Sequence, residues 1–331
     1  MTKVLLAHTP QMFEGYYGEP ALAALSAVAV VKRHEGSQSL RVEELIELAK
    51  DCQIIVSDRA TPGEAAIFPA LPELVAFVRC AVDIRTVDVD AASANGVLVT
   101  RATPGFVDAV NEWILGVMVD LARGISKAVA SYRRGEEPTA LMGTQLRGAT
   151  IGVVGLGAIG TKLAPMASLL GMNVLVHDPF VESIPDNTQA VEFSELLARS
   201  DFVVCLVVAN ERTENMFGAP EFELMKRSAF FINASRGNLV NEDALHNALT
   251  RGALAGAAMD VGRAPDQKPS LELAGLDNVI ATPHIGGLTR QAVEHQAFDT
   301  VRQVTSLVAG DIPQGAVNLQ LATRMSRFKK K

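Results

Sequence analysis

The chain has 331 residues, of which 48% are hydrophobic and 20% are charged. This length is greater than one ordinary core requires, so we expect two domains, and the apolar content excludes an intrinsically disordered chain. The net charge of −7 argues against a general affinity for the phosphates of nucleic acid.

Cysteine usage and apolar runs bear on location and partners. The longest apolar stretch, Ala21–Val31, is too short to span a bilayer, and the opening segment MTKVLLAHTP lacks the long apolar region of a signal peptide. The three cysteines are far apart and lack metal-ligand spacing; they are Cys52, Cys80 and Cys205. We therefore expect a cytoplasmic protein with reduced thiols, no metal site, and no membrane or nucleic-acid partner.

Short apolar runs typical of buried strands alternate with helix-like segments along the chain. In the first hundred residues, strands are predicted at Val4–Ala7, Ile54–Val56, Val75–Val78 and Val97–Val99, and helices at Ala21–Lys32 and Val42–Ala49. A long helix with one apolar stripe is predicted over residues 106–124. Further strands are predicted at Ile151–Val154, Asn173–His177, Phe202–Val207, Ala229–Asn233 and Val279–Ala281, with helices at Ala158–Leu170, Phe193–Ala198 and Asn241–Thr250.

This alternation predicts an α/β protein with doubly wound parallel sheets. The strands are continuously apolar, as expected when helices cover both faces of a sheet. Loops around Pro104 and residues 285–287 are candidate hinges. They divide the chain into a central domain, residues 102–289, and a discontinuous domain formed by residues 1–101 and 290–331.

A glycine-rich segment directly follows the strand Ile151–Val154. Gly155, Gly157 and Gly160 have the spacing G-x-G-x-x-G, which permits a tight turn, close approach of a pyrophosphate, and close packing of helix on strand. The main-chain N–H groups at the start of the following helix suit the phosphates. We expect a dinucleotide site there, which also includes Ala158 and Ile159.

Asp178 ends the next predicted strand, at the position where a carboxylate accepts the ribose hydroxyls of adenosine. A carboxylate repels a 2′-phosphate, and no arginine follows it closely, so the sequence favours NAD over NADP. The alternative is a turn or cap carboxylate before Pro179.

Two candidate catalytic side chains also follow predicted strands. Arg236 comes after Ala229–Asn233, and its planar fork matches an α-keto acid. His284 comes after Val279–Ala281, and imidazole suits proton exchange near neutral pH. Taken alone, a solvated arginine and a structural histidine are the alternatives.

The segments GLGAIG, HDP, NASRGNLVNEDAL, GAAMDV and TPHIGG, in this order and spacing, resemble the D-isomer-specific 2-hydroxyacid dehydrogenase family. The likeness extends from about Val82 onward, whereas the first 75 residues match only in their strand–helix rhythm. It implies a Rossmann cofactor domain and a flavodoxin-like substrate domain with a cleft between them. It also implies NAD as the cofactor and a homodimer formed through the cofactor domain.

The resemblance assigns roles to individual residues. Arg236 would bind the carboxylate of a small 2-keto or 2-hydroxy acid, and His284 would exchange a proton with its carbonyl oxygen. Asp260 would hold the nicotinamide carboxamide, or else serve as a strand-end cap. The remaining implied contacts are Ala234, Ser235, Gly286 and Gly287 to the cofactor, and the main-chain amides of Cys80, Ala81 and Val82 to the substrate carboxylate.

The sequence departs from the family pattern at the carboxylate that normally pairs with the catalytic histidine. Pro265 stands at that position, and Asp266 follows it. We expect the loop to be shifted by one residue so that Asp266 raises the pKa of His284. The alternatives are that Asp266 is solvated and that His284 is unpaired or uses another partner, such as Gln267.

Arg79 is a second departure, because relatives commonly have a small residue there. With Arg85 it is a candidate pocket for a second anionic group of the substrate. The alternative is that both arginines pair with Asp83, Asp88 or Glu112. At the level of the whole chain, the leading hypothesis is an NAD-dependent dehydrogenase, and the alternative is an NAD(H)-sensing corepressor or scaffold with weak catalysis.

Overall fold

A computed structural model describes residues 1–264 and 266–328. The chain forms two compact units. Unit 1 comprises Met1–Gly105 and the residues from Thr289 onward, and unit 2 comprises Phe106–Leu288.

The described residues contain twelve strands, and strands run parallel wherever two of them pair. In chain order they are β1 (Lys3–Leu6), β2 (Val30–Arg33), β3 (Ile54–Ser57), β4 (Ala76–Arg79), β5 (Leu98–Arg101), β6 (Thr150–Val154), β7 (Asn173–His177), β8 (Gln189–Ala190), β9 (Phe202–Cys205), β10 (Phe230–Asn233), β11 (Gly256–Met259) and β12 (Val279–Ala281).

The helices lie between the strands, except for the last one, which follows β12. In chain order they are α1 (Pro10–Tyr16), α2 (Gly18–Val28), α3 (Val42–Ala49), α4 (Ile67–Ala70), α5 (Val89–Ala94), α6 (Val107–Arg123), α7 (Ile125–Arg133), α8 (Gly160–Leu169), α9 (Phe193–Arg199), α10 (Ala219–Leu224), α11 (Glu242–Thr250), α12 (Leu271–Ala274) and α13 (Arg290–Ala309). Short 3₁₀ helices occur at Gly237–Leu239, Leu319–Leu321 and Thr323–Arg327.

Unit 1 is built on a five-stranded sheet with the order β2-β1-β3-β4-β5. Every residue of β3 and β4 is buried, as expected for central strands covered on both faces. The predicted helix Ala21–Lys32 is wrong at its end: α2 stops at Val28, and Val30–Arg33 form the edge strand β2 beside β1. The β-branched pair Val30–Val31 favours a strand, and the polar residues after it suit a half-exposed edge.

Unit 2 is built on a seven-stranded sheet with the order β12-β11-β10-β9-β6-β7-β8. From β6 the chain continues to β7 on one side, and β9 pairs with β6 on the other, so the direction of winding reverses at β6. Ligands of such sheets bind at this switch point, outside the carboxyl ends of the strands. The predicted class of two α/β units with parallel sheets is confirmed.

All three cysteines are buried and form no disulfide. Burial raises the pKa of the Cys80 and Cys205 thiols to about 12. In the part of the chain that is described, every helix is too short or too polar to cross a bilayer.

Candidate active site

The three glycines after β6 each meet a different local requirement. Gly155 has a φ of +98°, and a Cβ on it would lie 2.8 Å from the carbonyl of Leu206. A Cβ on Gly160 would overlap the carbonyl oxygen of Gly155, so the start of α8 packs directly on the turn. Gly157 faces open space, with no atom within 4 Å of a built Cβ. The open side of the loop is therefore at the residue that a pyrophosphate must approach.

The first amides of α8 complete this loop. Within the described chain, the N–H groups of Ala158, Ile159 and Gly160 donate to no other residue, whereas that of Thr161 donates to the Gly157 carbonyl at 3.0 Å. These amides and the positive end of α8 suit a phosphate. The residues present thus fit a dinucleotide.

Asp178, at the end of β7, binds the glycine-rich loop through its carboxylate. Oδ2 accepts a hydrogen bond from the Leu156 amide at 2.8 Å, and Oδ1 accepts one from the Phe180 amide at 2.9 Å. The carboxylate therefore serves as a turn cap, as in the alternative interpretation. It also retains lone pairs for ribose hydroxyls, because each oxygen accepts more than one hydrogen bond.

Three polar side chains follow three neighbouring strands of unit 2. Arg236 follows β10, Asp260 directly follows β11, and His284 follows β12. Carboxyl ends of parallel strands meet at one edge of a sheet, and this is also the edge at which the glycine-rich loop leaves β6. The sheet thus brings Arg236, Asp260 and His284 to the edge that carries the glycine-rich loop.

Asn233, the last residue of β10, fixes the backbone that carries Arg236. Its side chain is fully buried; Oδ1 accepts from the Ser235 amide at 3.0 Å, and Nδ2 donates to the Arg236 carbonyl at 2.9 Å. Ser235 Oγ donates to the Val207 carbonyl at 2.5 Å. Asn233 was not among the residues predicted from the sequence, although an amide side chain at the end of a buried strand is a usable signal.

His284 lies in a strained turn that the carboxylate of Asp260 holds. The φ of His284 is +60°, a left-handed conformation that residues with a Cβ rarely adopt. Asp260 is 4% exposed and accepts hydrogen bonds from Thr282 Oγ1 at 2.6 Å, the Ile285 amide at 2.8 Å and the Gly286 amide at 2.7 Å. These bonds flank His284 on both sides and therefore fix the orientation of its backbone.

Asp260 therefore holds the turn around His284, which goes beyond the strand-end cap expected as the alternative. Its predicted contact with the nicotinamide stays a prediction. Gly286 fits the same arrangement, since a Cβ on it would lie 2.8 Å from Asp260 Oδ2. The hydroxyl of Thr282, in the segment TPHIGG, could have indicated that this turn binds a carboxylate.

The sequence profile of the "D-isomer specific 2-hydroxyacid dehydrogenase, NAD binding domain" matches residues 115–286. The chain belongs to the D-isomer-specific 2-hydroxyacid dehydrogenase family. The match lies within unit 2, which is therefore the NAD-binding domain of this family of oxidoreductases.

Relatives in this family align with most of the chain. D-3-phosphoglycerate dehydrogenase of Methanocaldococcus jannaschii is 33% identical over 91% of this chain and 58% of its own. Glyoxylate reductase of Thermofilum pendens is 31% identical over 92% of both chains. The structure of a D-2-hydroxyisocaproate dehydrogenase matches with a TM-score of 0.86 and 23% identity over 96% of this chain and 100% of that one, which shows a common fold. The chain spans little more than half the length of the phosphoglycerate dehydrogenase.

The carboxylate expected to pair with the family's histidine lies in an exposed loop. Pro265 is outside the described residues. Asp266 is 54% exposed in its side chain and forms an ion pair with Lys268 at 2.8 Å, and hydrogen bonds from Lys268 hold the pKa of Asp266 below its usual value. Its neighbour Gln267 has a φ of +61°, and its Oε1 is buried with no hydrogen-bond partner among the described residues. The role of Asp266 toward His284 stays a prediction.

The loop after β4 in unit 1 differs from expectation at one of its three predicted amide donors. The Cys80 amide donates to the Ser57 carbonyl at 2.9 Å, so this amide is already used within the sheet. The amides of Ala81 and Val82 donate to no other residue of the described chain. The set of three predicted amide donors is thereby reduced to two.

The guanidinium of Arg79 is fully buried rather than open to a ligand. It donates to main-chain carbonyls and to Thr86 Oγ1, and burial lowers its pKa to about 10. Arg85 forms an ion pair with Asp83 at 2.7 Å, as the alternative interpretation has it. This geometry offers no exposed guanidinium of Arg79 for a second anionic group of the substrate.

Proposed function

We propose that this chain interconverts a 2-keto acid and a D-2-hydroxy acid by NAD-dependent hydride transfer. The main support is the placement of Arg236 and His284 at one edge of the NAD-binding sheet, with the turn of His284 fixed by a buried carboxylate. A proton donor held on a rigid element at the cofactor edge is what such a reduction requires.

In this proposal NAD supplies or accepts the hydride, and the chain supplies binding and the proton. Arg236 binds the substrate carboxylate with its planar guanidinium, assisted by the amides of Ala81 and Val82. In reduction, His284 gives its proton to the carbonyl oxygen, which becomes the hydroxyl. In oxidation it takes that proton back.

The other site assignments are parts of the same proposal. Asp266 would stabilise the charged form of His284 and so keep its proton available. The cofactor would contact Gly155, Gly157, Ala158, Ile159, Gly160, Asp178, Ala234, Ser235, Asp260, Gly286 and Gly287. The relatives described above are named for catalysis, which favours the enzyme over a corepressor or scaffold.

We also propose that the protein is a homodimer formed through unit 2. Apolar side chains on and after α7 are exposed, including Val129 at 42%, Leu141 at 61% and Met142 at 100%. A cleft of about 590 Å³ adjoins Leu141 and Met142 near the residues that precede β10, β11 and β12. This is the opposite edge of the sheet from the catalytic residues, so a second copy there would leave the active site open.

The test is NADH oxidation with a panel of glyoxylate, hydroxypyruvate, pyruvate, phenylpyruvate and oxaloacetate. We expect turnover of at least one acid, and a loss of about 10³ in kcat for His284→Asn, because the proton donor is removed. The matched control is His246→Asn, since His246 lies on α11 beside Glu272 and should be dispensable. NADH binding without turnover, together with a protein partner in a pull-down, would instead establish the sensor.

A further inference from the structure

Arg79 is a buried, positively charged residue that has no direct part in the proposed reaction. It is the last residue of β4, it is fully buried, and the candidate carboxylate-binding residues Ala81 and Val82 follow almost at once. A buried guanidinium is costly unless its donors are well used. Nε has no hydrogen-bond partner among the described residues, so the contacts of Nη1 and Nη2 indicate its role.

The guanidinium joins two loops of unit 1. Nη1 donates to the carbonyls of Asp58 and Thr61, the latter at 3.0 Å, and Nη2 donates to Thr86 Oγ1 at 2.8 Å. The first of these loops is itself closed by the Asp58 carboxylate, whose Oδ1 accepts from the Thr61 amide at 2.6 Å and from the Thr61 hydroxyl at 2.8 Å. Its two carbonyls are thus held facing the arginine.

The second loop, residues 80–88, is anchored at both ends around its free amides. The Cys80 amide is bound to β3, and the Ala81 carbonyl accepts from the Ala102 amide at 3.0 Å. At the far end, the Thr86 carbonyl accepts from the Gly63 amide at 2.9 Å. Arg79 lies beneath this segment and ties its far end, through Thr86, to the Asp58–Thr61 loop.

We propose that Arg79 is a positioning residue that holds the amides of Ala81 and Val82 in place for the substrate carboxylate. This inference rests on the proposed function. The fully buried guanidinium does not touch the substrate itself. Lysine cannot replace it, because one ammonium group cannot reach the two carbonyls and the Thr86 hydroxyl in the geometry of the arginine fork.

The decisive variant is Arg79→Lys, which keeps the positive charge but loses the planar pair of N–H donor groups, Nη1 and Nη2. We expect KM for the best 2-keto acid to rise about tenfold or more, with kcat within about threefold of wild type, because amide contacts to the carboxylate bind ground and transition states alike. Thr86→Val, which removes one of the hydrogen bonds, should raise KM less. The Kd of NADH should not change in either variant, since unit 2 carries the cofactor site.

Arg324→Lys is the matched control for a merely structural role. Arg324 also belongs to unit 1, and its Nη1 donates to the carbonyls of Leu71 and Leu74 at 2.7 and 2.8 Å, before β4 begins. Both lysine variants should lower the melting temperature, but only Arg79→Lys should raise KM. Equal KM values in wild type and Arg79→Lys, or equal rises in both lysine variants, would overturn the inference.

Binding of oxamate, a non-reacting analogue with a carboxylate beside a carbonyl, separates this inference from the proposed function. Calorimetry on the NADH complex should show weaker oxamate binding in Arg79→Lys than in Arg324→Lys. If wild type turns over no acid but Arg79→Lys still weakens oxamate binding, the proposed reaction fails and the positioning role stands. If wild type neither turns over any acid of the panel nor binds oxamate, both are overturned.

Discussion

The carboxyl edges of the two sheets each use one buried charged residue to hold a loop, but the charges have opposite sign. In unit 1, the cation Arg79 binds main-chain carbonyls and a hydroxyl, which leaves the amides of Ala81 and Val82 available for an anion. In unit 2, the anion Asp260 binds main-chain amides and a hydroxyl, and the proposed functional group there is the side chain of His284. The sign of the buried charge thus decides which main-chain groups remain for a ligand.

The largest effect expected from this comparison is that of Asp260→Asn. An amide side chain offers only one acceptor atom, so it cannot accept from Thr282, Ile285 and Gly286 as the carboxylate does. The turn of His284 would relax, and we expect kcat to fall between about 10²- and 10³-fold. In contrast to Arg79→Lys, the loss should appear in kcat more than in KM, which steady-state kinetics with the best 2-keto acid would measure.

Thr282→Val is the companion variant for Asp260→Asn, because it removes one of the three hydrogen bonds and keeps the carboxylate. Its kcat should lie between that of wild type and that of Asp260→Asn. A normal kcat in Asp260→Asn with weaker NADH binding would show that Asp260 acts on the cofactor and not on the turn.

The second effect concerns the pH dependence of stability at the unit 1 edge. His8 is buried with neither ring nitrogen hydrogen-bonded within the described residues, and burial lowers its pKa to about 4. An unfolded histidine titrates near pH 6.5, so the neutral form favours the folded state, and this stability is present above about pH 6.5 and lost as the pH falls toward 4. The loss should total about 3 kcal/mol over that range.

Thermal unfolding at several pH values measures this loss. His8→Phe should weaken the acid dependence, because phenylalanine does not titrate. Its ring should still pack against the ring of Tyr17, whose centroid lies 5.0 Å from that of His8. His246→Asn, in unit 2, should retain the wild-type dependence. An acid dependence equally strong in His8→Phe would exclude His8 as its source.

The smallest effect is expected from Asp266→Asn. A carboxylate near His284 raises the pKa of its imidazole, so its removal should shift the pH profile of reduction to lower pH, by less than about one pH unit given the exposure of Asp266. Lys268→Met should shift the profile in the opposite direction, because it frees the carboxylate from its ion pair. An unchanged profile in Asp266→Asn removes this residue from the mechanism.

Local sequence patterns predicted the local features of the fold well. The runs at Ile54–Val56 and Asn173–His177 are apolar enough to fix buried strands, and the spacing of Gly155, Gly157 and Gly160 determines a turn directly. The edge strand β2 was missed because its apolar residues continue the pattern of the preceding helix. Strand β11, made of Gly, Ala and Met, has little β propensity and depends on its neighbours in the sheet.

The roles of the charged residues were harder to predict, because they depend on partners distant in the sequence. Arg79 bonds to carbonyls of residues 58 and 61, and Asp260 to groups at positions 282, 285 and 286. Neither set can be read from composition or spacing, since each forms only when neighbouring strands bring their ends together. A charged residue at a strand end therefore indicates that the position matters, but it does not indicate which groups that residue binds.

The left-handed backbone at His284 has a consequence for how this position can vary. Glycine and asparagine adopt that conformation more readily than histidine, so backbone strain alone favours replacement of the imidazole. A homologue that retained the Asp260 turn but carried glycine there would avoid the left-handed backbone strain and would lack the proposed proton donor. Backbone strain and the proposed chemistry therefore favour different residues at this one site, and the hydrogen bonds to Asp260 hold the turn in which histidine is accommodated.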